Sequence, residues 1–199
     1  MTSHRSRTPA GGLMDPRVER SRQVILHGAL DELGQVGYGK FTIESVAARA
    51  GVGKSTIYRY WPDKLALIAD AFETFHVRMV PSTETGSRRE RIHSLVRHVA
   101  EIFVDSTFSV CIPALIEGAE RDARLRRFHH QYSADRRQSL IDLINEGVVG
   151  GEFSTRLDPE LAALALLGPI IYCRLMAREP FDPERASDLV DTVLGFSRH

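Results

Sequence analysis

Residues 41–64 read FTIESVAARAGVGKSTIYRYWPDK, and this stretch decides the fold. Thr42 is a helix N-cap residue, and a short helix follows it and ends at Gly51, a residue suited to the left-handed C′ position. A second short helix begins at about Lys54 and stops before Pro62, because the residue that precedes proline avoids helical geometry. Two short helices joined by so tight a turn predict a helix-turn-helix.

The two predicted helices have one apolar and one polar face. Ile43, Val46 and Ala47 give the first helix an inward side, and Ile57 gives the second helix a buried anchor. The outer face of the second helix carries hydrogen-bond donors near a helix N-terminus, where backbone N–H groups attract phosphate. These donors are Lys54, Ser55, Thr56, Tyr58 and Arg59, with Tyr60 and Lys64 beside them.

The segment Gly53-Lys54-Ser55-Thr56 allows two other interpretations. A phosphate-binding P-loop needs a glycine five residues before Gly53 and a preceding strand, whereas Ala48 on a helix stands there. The segment could also be no more than a polar helix start.

The charge distribution agrees with an anion-binding N-terminal part. The chain has 199 residues and no formal net charge, with 26 basic and 26 acidic side chains. Residues 1–65 nevertheless hold ten basic and six acidic side chains, a net charge of +4. The longest uncharged stretch, residues 161–173, is shorter than the ~20 residues that span a bilayer, and no secretory signal is evident. We therefore expect a cytoplasmic protein without a membrane partner.

Helical periodicity continues to the end of the chain, without alternating strands or repeats. The pattern predicts an all-α protein of about nine helices behind a mobile tail at residues 1–14. Between about Val110 and Ile116 the pattern predicts only a short apolar segment. A long helix is predicted after it, at about Asp122–Glu146. Two final helices are expected at about Pro159–Arg178 and Pro183–Arg198.

The pattern T-I-x-x-V-A-x-x-A-G-V-x-K-x-T-I-Y-x-Y-W-x-x-K at residues 42–64 resembles the DNA-binding signature of the TetR family of bacterial transcriptional regulators. The similarity extends over about residues 17–72, and Trp61 replaces the phenylalanine that is commonest at its position. The resemblance implies a helix-turn-helix DNA-binding domain at residues 15–63 and a ligand-binding and dimerisation domain at residues 64–199.

The resemblance also implies roles for individual residues. Thr42, Tyr60 and Lys64 would contact DNA phosphates, and Arg59 could reach backbone or bases. The residues expected in the major groove are Lys54, Ser55, Thr56 and Tyr58. Glu44 is either a favourable charge at a helix N-terminus or an acceptor that reads cytosine.

In the ligand-binding domain, aromatic and apolar side chains without inward charges favour a small-molecule inducer that is apolar or weakly polar. Plain core is the alternative for each of them. The candidates are Phe75, Met79, His98, Phe103, Ile112, Tyr132, Tyr172 and Met176. The helix that starts at Lys64 and carries Phe75 and Met79 would link this ligand to the DNA-facing part.

The last two helices are more apolar than one packing partner requires. The resemblance assigns them to the interface of a homodimer, which would bind a palindromic operator with recognition helices ~34 Å apart. The alternative is that both helices only cap the core of one chain. The interface candidates are Leu161, Leu164, Ile171, Leu189, Val190, Val193 and Leu194.

The resemblance implies a ligand-responsive repressor rather than an enzyme, and no motif for catalysis, a metal or a cofactor is evident. The alternative is a helical small-molecule-binding protein or enzyme with a vestigial helix-turn-helix. A metal site built from distant residues and a redox role for Cys111 and Cys173 also stay open.

Overall fold

The computed structural model describes residues 16–79, 86–104 and 107–195, and these residues form nine α-helices and no strand. The predicted tail at residues 1–14 and the end of the predicted last helix, residues 196–198, lie outside this part. The helices are α1 (Pro16–Lys40), α2 (Ile43–Ala50), α3 (Lys54–Tyr58), α4 (Lys64–Met79), α5 (Arg88–Val104), α6 (Thr107–Arg121), α7 (Ala123–Val149), α8 (Pro159–Tyr172) and α9 (Ala186–Leu194). A π-helical segment, Cys173–Ala177, continues α8, and a 3-10 turn, Pro183–Arg185, precedes α9.

A first apolar core joins the helix-turn-helix unit to the helices behind it. Ile25 and Leu33 of α1, Ile57 of α3 and Phe72 of α4 are fully buried. The same cluster continues into α6 and α7 through Leu115, which is also fully buried. The helix-turn-helix unit and the rest of the described chain therefore share one packed core across α1, α4 and α6.

A second core lies between α5, α7, α8 and α9. Ile92, Ile144, Leu166, Ile170 and Val190 are each fully buried in it. Because α7 contributes to both cores, this 27-residue helix connects the two ends of the structure.

Helix α6 corrects the expectation of a short apolar segment at Val110–Ile116, since it runs for 15 residues from Thr107 to Arg121. Pro113 lies inside this helix and has no N–H to donate to the carbonyl of Ser109, four residues earlier. Nη2 of Arg174 donates to that carbonyl instead, at 3.1 Å. A side chain 65 positions away thus replaces the missing helix hydrogen bond, which sequence periodicity cannot reveal.

Candidate nucleic-acid interface

Helix α2 begins with a capping box, as the sequence indicated for Thr42. The Oγ1 of Thr42 accepts a 3.1 Å hydrogen bond from the backbone N–H of Ser45, whose Oγ in turn accepts from the N–H of Thr42 at 3.4 Å. The reciprocal pair satisfies two backbone donors at the helix start. Thr42 itself is exposed, so its side chain fixes α2 at the protein surface.

The turn between α2 and α3 takes the conformation expected for Gly51. Its φ of 65° and ψ of 31° are left-handed, which glycine adopts without steric cost. The turn leads into α3, whose Ile57 is fully buried. Because this apolar anchor holds one side of α3 against the core, the opposite side faces outward.

That outward side carries the predicted donors. Tyr58 is 51% and Tyr60 is 38% exposed. Lys54, Ser55 and Arg59 are also exposed, whereas Thr56 is half-buried. The guanidinium of Arg59 lies 4.8 Å from the ring centre of Tyr60 and its Nη2 donates to the tyrosine hydroxyl at 3.1 Å. Arginine and tyrosine therefore form one unit at the C-terminal end of α3.

Glu44 pairs with Lys54 across the two helices. The Nζ of Lys54 lies 3.2 Å from Oε1 of Glu44, and both side chains are more than half exposed. The backbone N–H at the start of α2 is the main cause that holds the pKa of Glu44 below its usual value, and Lys54 adds to the effect. Because the backbone N–H at the helix start lowers this pKa more than Lys54 does, the structure supports the interpretation of Glu44 as a helix N-terminal charge.

Lys64 is tied to the end of α1. Its Nζ donates to the backbone carbonyl of Tyr38 at 3.1 Å and lies 4.0 Å from the centre of the Tyr38 ring. Lys64 is half-buried, so the first residue of α4 stays fixed relative to α1. Sequence reasoning treated this lysine as a phosphate contact alone and missed its structural partner.

Partly buried ion pairs that sequence reasoning also missed hold the unit together. The guanidinium of Arg22 on α1 donates to Asp70 on α4 at 2.5 and 2.6 Å, and the indole N–H of Trp61 donates to the same carboxylate at 2.7 Å. Arg49 of α2 donates to Glu32 of α1 at 2.7 Å, although Glu32 is only 5% exposed. Partners up to 48 positions apart leave no local pattern that could have predicted them.

The N-terminus of α4 is connected to the start of α7. Asp63 accepts from the backbone N–H of Ala66 at 2.9 Å and from Nη2 of Arg124 at 2.7 Å. The backbone N–H of Ala66 and then the Arg124 guanidinium hold the pKa of Asp63 below its usual range. A charged contact thus joins the end of the helix-turn-helix unit to the helical domain behind it.

The predicted ligand residues fall in different places. Phe103, Ile112 and Tyr132 pack in the first core, where the rings of Tyr132 and Phe72 lie edge to face at 5.6 Å. Burial raises the pKa of Tyr132 to about 12. His98 is half-buried on α5, and burial lowers its pKa.

The other four ligand candidates lie on α4, at the end of α8 and in the π-helical segment that follows it. Phe75 and Met79 belong to α4, but their side chains lie outside the described part of the structure. Tyr172 is 62% and Met176 is 72% exposed. Tyr132, by contrast, is buried, and the assignment of these residues to one ligand site stays a prediction.

The predicted interface residues divide in the same way. Leu161, Leu164 and Ile171 are exposed along α8. Two residues of α9, Leu189 and Val193, are half-buried against the second core. Val190 and Leu194 correct the prediction: they are 0% and 7% exposed within this single chain, so the core of the chain itself already uses them.

Cysteines and metal-binding residues form no site in the described ranges. No three His, Cys, Asp or Glu side chains come together there to hold a metal ion. The thiol of Cys111 is buried and donates to the carbonyl of Leu30 at 3.0 Å, and burial raises its pKa to about 12. A thiol held protonated in this way is a poor nucleophile, which argues against the redox alternative for Cys111.

Comparison with known proteins defines the class to which this fold and surface belong. Residues 25–71 match the family described as bacterial regulatory proteins, tetR family. Residues 82–193 match the family described as tetracyclin repressor-like, C-terminal domain. The chain is therefore a member of the TetR family of bacterial transcriptional regulators.

Individual relatives agree with this assignment. The HTH-type transcriptional regulator YdeS of Bacillus subtilis is 30% identical over 178 residues, covering 88% of each chain. The DNA-binding transcriptional repressor TetR of Mycobacteroides abscessus is 30% identical over 186 residues, covering 91% of this chain and 95% of its own. The fatty acid degradation regulator FadR from Bacillus halodurans has the same fold, with a TM-score of 0.75 over 94% of this chain and all of its own at 21% identity.

Proposed function

We propose that this chain is a cytoplasmic, ligand-responsive repressor that binds a palindromic DNA operator as a homodimer and is released by a small molecule. The observation that carries the proposal is the outward face of α3, where Lys54, Tyr58 and Arg59 are exposed above the buried anchor Ile57. Its relatives are named as transcriptional regulators, and one of them as a repressor.

The DNA contacts follow from this face. Lys54, Ser55, Thr56 and Tyr58 enter the major groove, where side chains read base edges. The flanking residues Thr42, Tyr60 and Lys64 contact phosphates and fix the register. Arg59, whose guanidinium lies 4.8 Å from the centre of the Tyr60 ring, contacts either the DNA backbone or base edges.

The exposed side of α8 supports a homodimer. Leu161 is 65%, Leu164 is 52% and Ile171 is 40% exposed. The stretch Pro159–Ala177 has a mean hydropathy of 1.6 and the length to cross a bilayer, yet only 22% of it is buried in one chain. In a regulator that binds DNA, a second copy covers this surface and places two α3 helices on one operator.

Ligand response is proposed from the family. The FadR regulator of Bacillus subtilis, 19% identical with a TM-score of 0.72, has been crystallised in complex with stearoyl-CoA. In this chain α4 runs from the DNA-facing Lys64 into the helical domain, so a ligand held there can alter the spacing of two α3 helices. A ligand acts in this way only if it binds one spacing more tightly than the other.

The alternative function is a helical small-molecule-binding protein or enzyme with a vestigial helix-turn-helix. A vestigial unit has no need to keep every donor at the surface. Here five of the donors remain exposed, and the capping box, the left-handed glycine and the buried anchor that orient them are intact; the five are Lys54, Ser55, Tyr58, Arg59 and Tyr60. These features favour DNA binding over the alternative.

A mobility-shift assay on the DNA upstream of the chain's own gene tests the proposal. We expect a discrete, competitor-resistant complex with the wild-type chain. The double variant K54A/Y58A should abolish it, whereas R156A, which removes an exposed arginine between α7 and α8, should not. If the wild type and K54A/Y58A bound DNA equally well, the outer face of α3 would not be the surface that binds DNA.

A further inference from the structure

A surface cleft of about 530 Å³ lies between α6, the end of α5 and the π-helical segment that follows α8. Val104, Val110, Pro113 and Leu175 form apolar walls. Arg174 and Arg178 line the same cleft. An apolar concavity with a few converging polar groups has the usual composition of a small-molecule site.

Arg174 is held in place by α6. Its Nε donates to Oγ of Ser109 at 2.6 Å, and its Nη2 donates to the backbone carbonyl of Ser109 at 3.1 Å. The hydroxyl of Ser109 in turn donates to the carbonyl of Phe103 at 3.1 Å. These bonds leave Nη1 of Arg174 without a hydrogen bond to the described residues, so a fixed donor remains for a ligand.

Arg178 sits where the π-helical segment ends. Its φ of 58° and ψ of 21° are left-handed, a conformation that non-glycine residues rarely adopt. The turn keeps Arg178 at the cleft beside Arg174. Within residues 16–79, 86–104 and 107–195, neither arginine forms an ion pair with an acidic side chain. Two arginines that are not paired with an acid in the described ranges therefore line one cleft with apolar walls.

We propose that this cleft binds a small amphipathic anion, with its carboxylate or phosphate group on Arg174 and Arg178 and its apolar body against the walls. Arginine recognises both anionic groups through paired N–H donors. Under the proposed function, on which this role rests, the anion is the effector. The sequence favoured an apolar or weakly polar ligand because no run of charged residues points inward at helical spacing.

The cleft adjoins the contact between α6 and the DNA-binding part. A Cβ placed on Gly34 of α1 would come within 2.9 Å of Cγ1 of Val110, a wall residue. The next residue, Cys111, donates its thiol hydrogen to the Leu30 carbonyl of α1. An anion that displaces the Val110 side of the cleft therefore acts directly on α1.

Isothermal titration of the full-length chain without DNA tests the site, with octanoate, octyl phosphate and 1-octanol as probes. We expect saturable binding of octanoate or octyl phosphate at one site per chain, and binding of 1-octanol weaker by about tenfold or more, because a charge-assisted hydrogen bond contributes at least that much. The variant R178N should lose about tenfold in anion affinity, since asparagine tolerates the left-handed backbone while removing the charge. R156N is the matched control and should bind as the wild type does.

Equal affinity of wild type and R178N for the anions, or an octanol affinity equal to that of octanoate, would overturn the proposal. The absence of saturable binding by either anion would overturn it as well. R174Q is a second variant, and circular dichroism reports whether it remains folded without the Ser109 contacts. Because these titrations contain no DNA, their failure is distinct from a failure of operator binding.

Discussion

The hydroxyl of Tyr38, near the end of α1, donates a 2.8 Å hydrogen bond to the carboxylate of Asp122, the N-cap residue of α7. The ring of Tyr38 also lies under the ammonium group of Lys64. One buried tyrosine thus contacts both the start of α4 and the start of the long helix α7. This joint connects the helix-turn-helix unit to the helical domain.

The joint depends on a glycine in α6, which gives the first prediction. A Cβ on Gly118 would come within 2.7 Å of both Cβ of Tyr38 and Cδ2 of Leu125. Gly118→Ala should therefore lower the free energy of unfolding by about 1–3 kcal/mol, a typical cost of overpacking. Urea denaturation measures the change. Gly39→Ala is the control, since a Cβ there meets nothing within 4 Å, and an equal effect of both substitutions would contradict the packing argument.

The second prediction concerns acid stability at the contact between Asp63 and Arg124. The folded pKa of Asp63 is lowered, so its contribution to stability is complete above the ordinary aspartate pKa of about 4 and is lost as the pH falls through the folded pKa. We expect Asp63→Asn to be less stable than wild type at pH 7 and to lose less stability than wild type on acidification. Urea midpoints between pH 7 and pH 3 measure both.

Asp142→Asn is the control for this experiment, because Asp142 is an exposed residue of α7 whose carboxylate accepts a hydrogen bond from Gln138, four residues earlier on the same helix. Its pH profile should follow that of the wild type. An unchanged profile for Asp63→Asn would show that the charge of Asp63, with its contacts to Ala66 and Arg124, does not contribute to stability in solution.

The third prediction separates phosphate contacts from base reading. Lys64→Ala should weaken binding to all DNA sequences by similar factors and reduce the salt slope of log K by about one, since one phosphate contact releases about one counterion. Fluorescence anisotropy at several salt concentrations measures both quantities. A change in base preference at a single operator position would show instead that Lys64 reads sequence.

The fourth prediction tests the exposed side of α8. Leu164→Arg places a charge on a surface that is 52% exposed in one chain, so the chain should fold but no longer dimerise and should lose operator binding. Sedimentation measures the mass. Val149→Arg, at a valine that is 80% exposed at the end of α7, should remain dimeric.

A further variant separates the surface of α8 from the core. Val190→Arg should prevent folding, because Val190 is fully buried. If the Leu164→Arg variant remained a dimer, this result would show that α8 does not form the dimer interface.

Local interactions were predictable from the sequence. The cap at Thr42, the left-handed turn at Gly51 and the anchor Ile57 depend on residues a few positions apart, and all three are as expected. The stripe on α9 was also recognised, but an apolar stripe does not show which neighbour covers it. Val190 and Leu194 therefore proved to be core residues.

Contacts between distant residues could not be predicted. The carboxylate of Asp122 is 84 positions from Tyr38, and Arg174 is 65 positions from the Ser109 carbonyl that it satisfies. Such pairs arise from the packing of helices, which periodicity alone does not determine. For the same reason, the cleft beside Arg174 and Arg178 had no signal in the sequence.

The most direct test of DNA recognition by a homodimer is selection of bound duplexes from a random DNA library with the purified full-length chain. We predict enrichment of a palindromic site whose half-site centres are separated by about one DNA turn or slightly more, ~34 Å, and loss of that enrichment in K54A/Y58A. The absence of an enriched sequence, or enrichment that K54A/Y58A leaves unchanged, would contradict the assignment of α3 as the recognition helix.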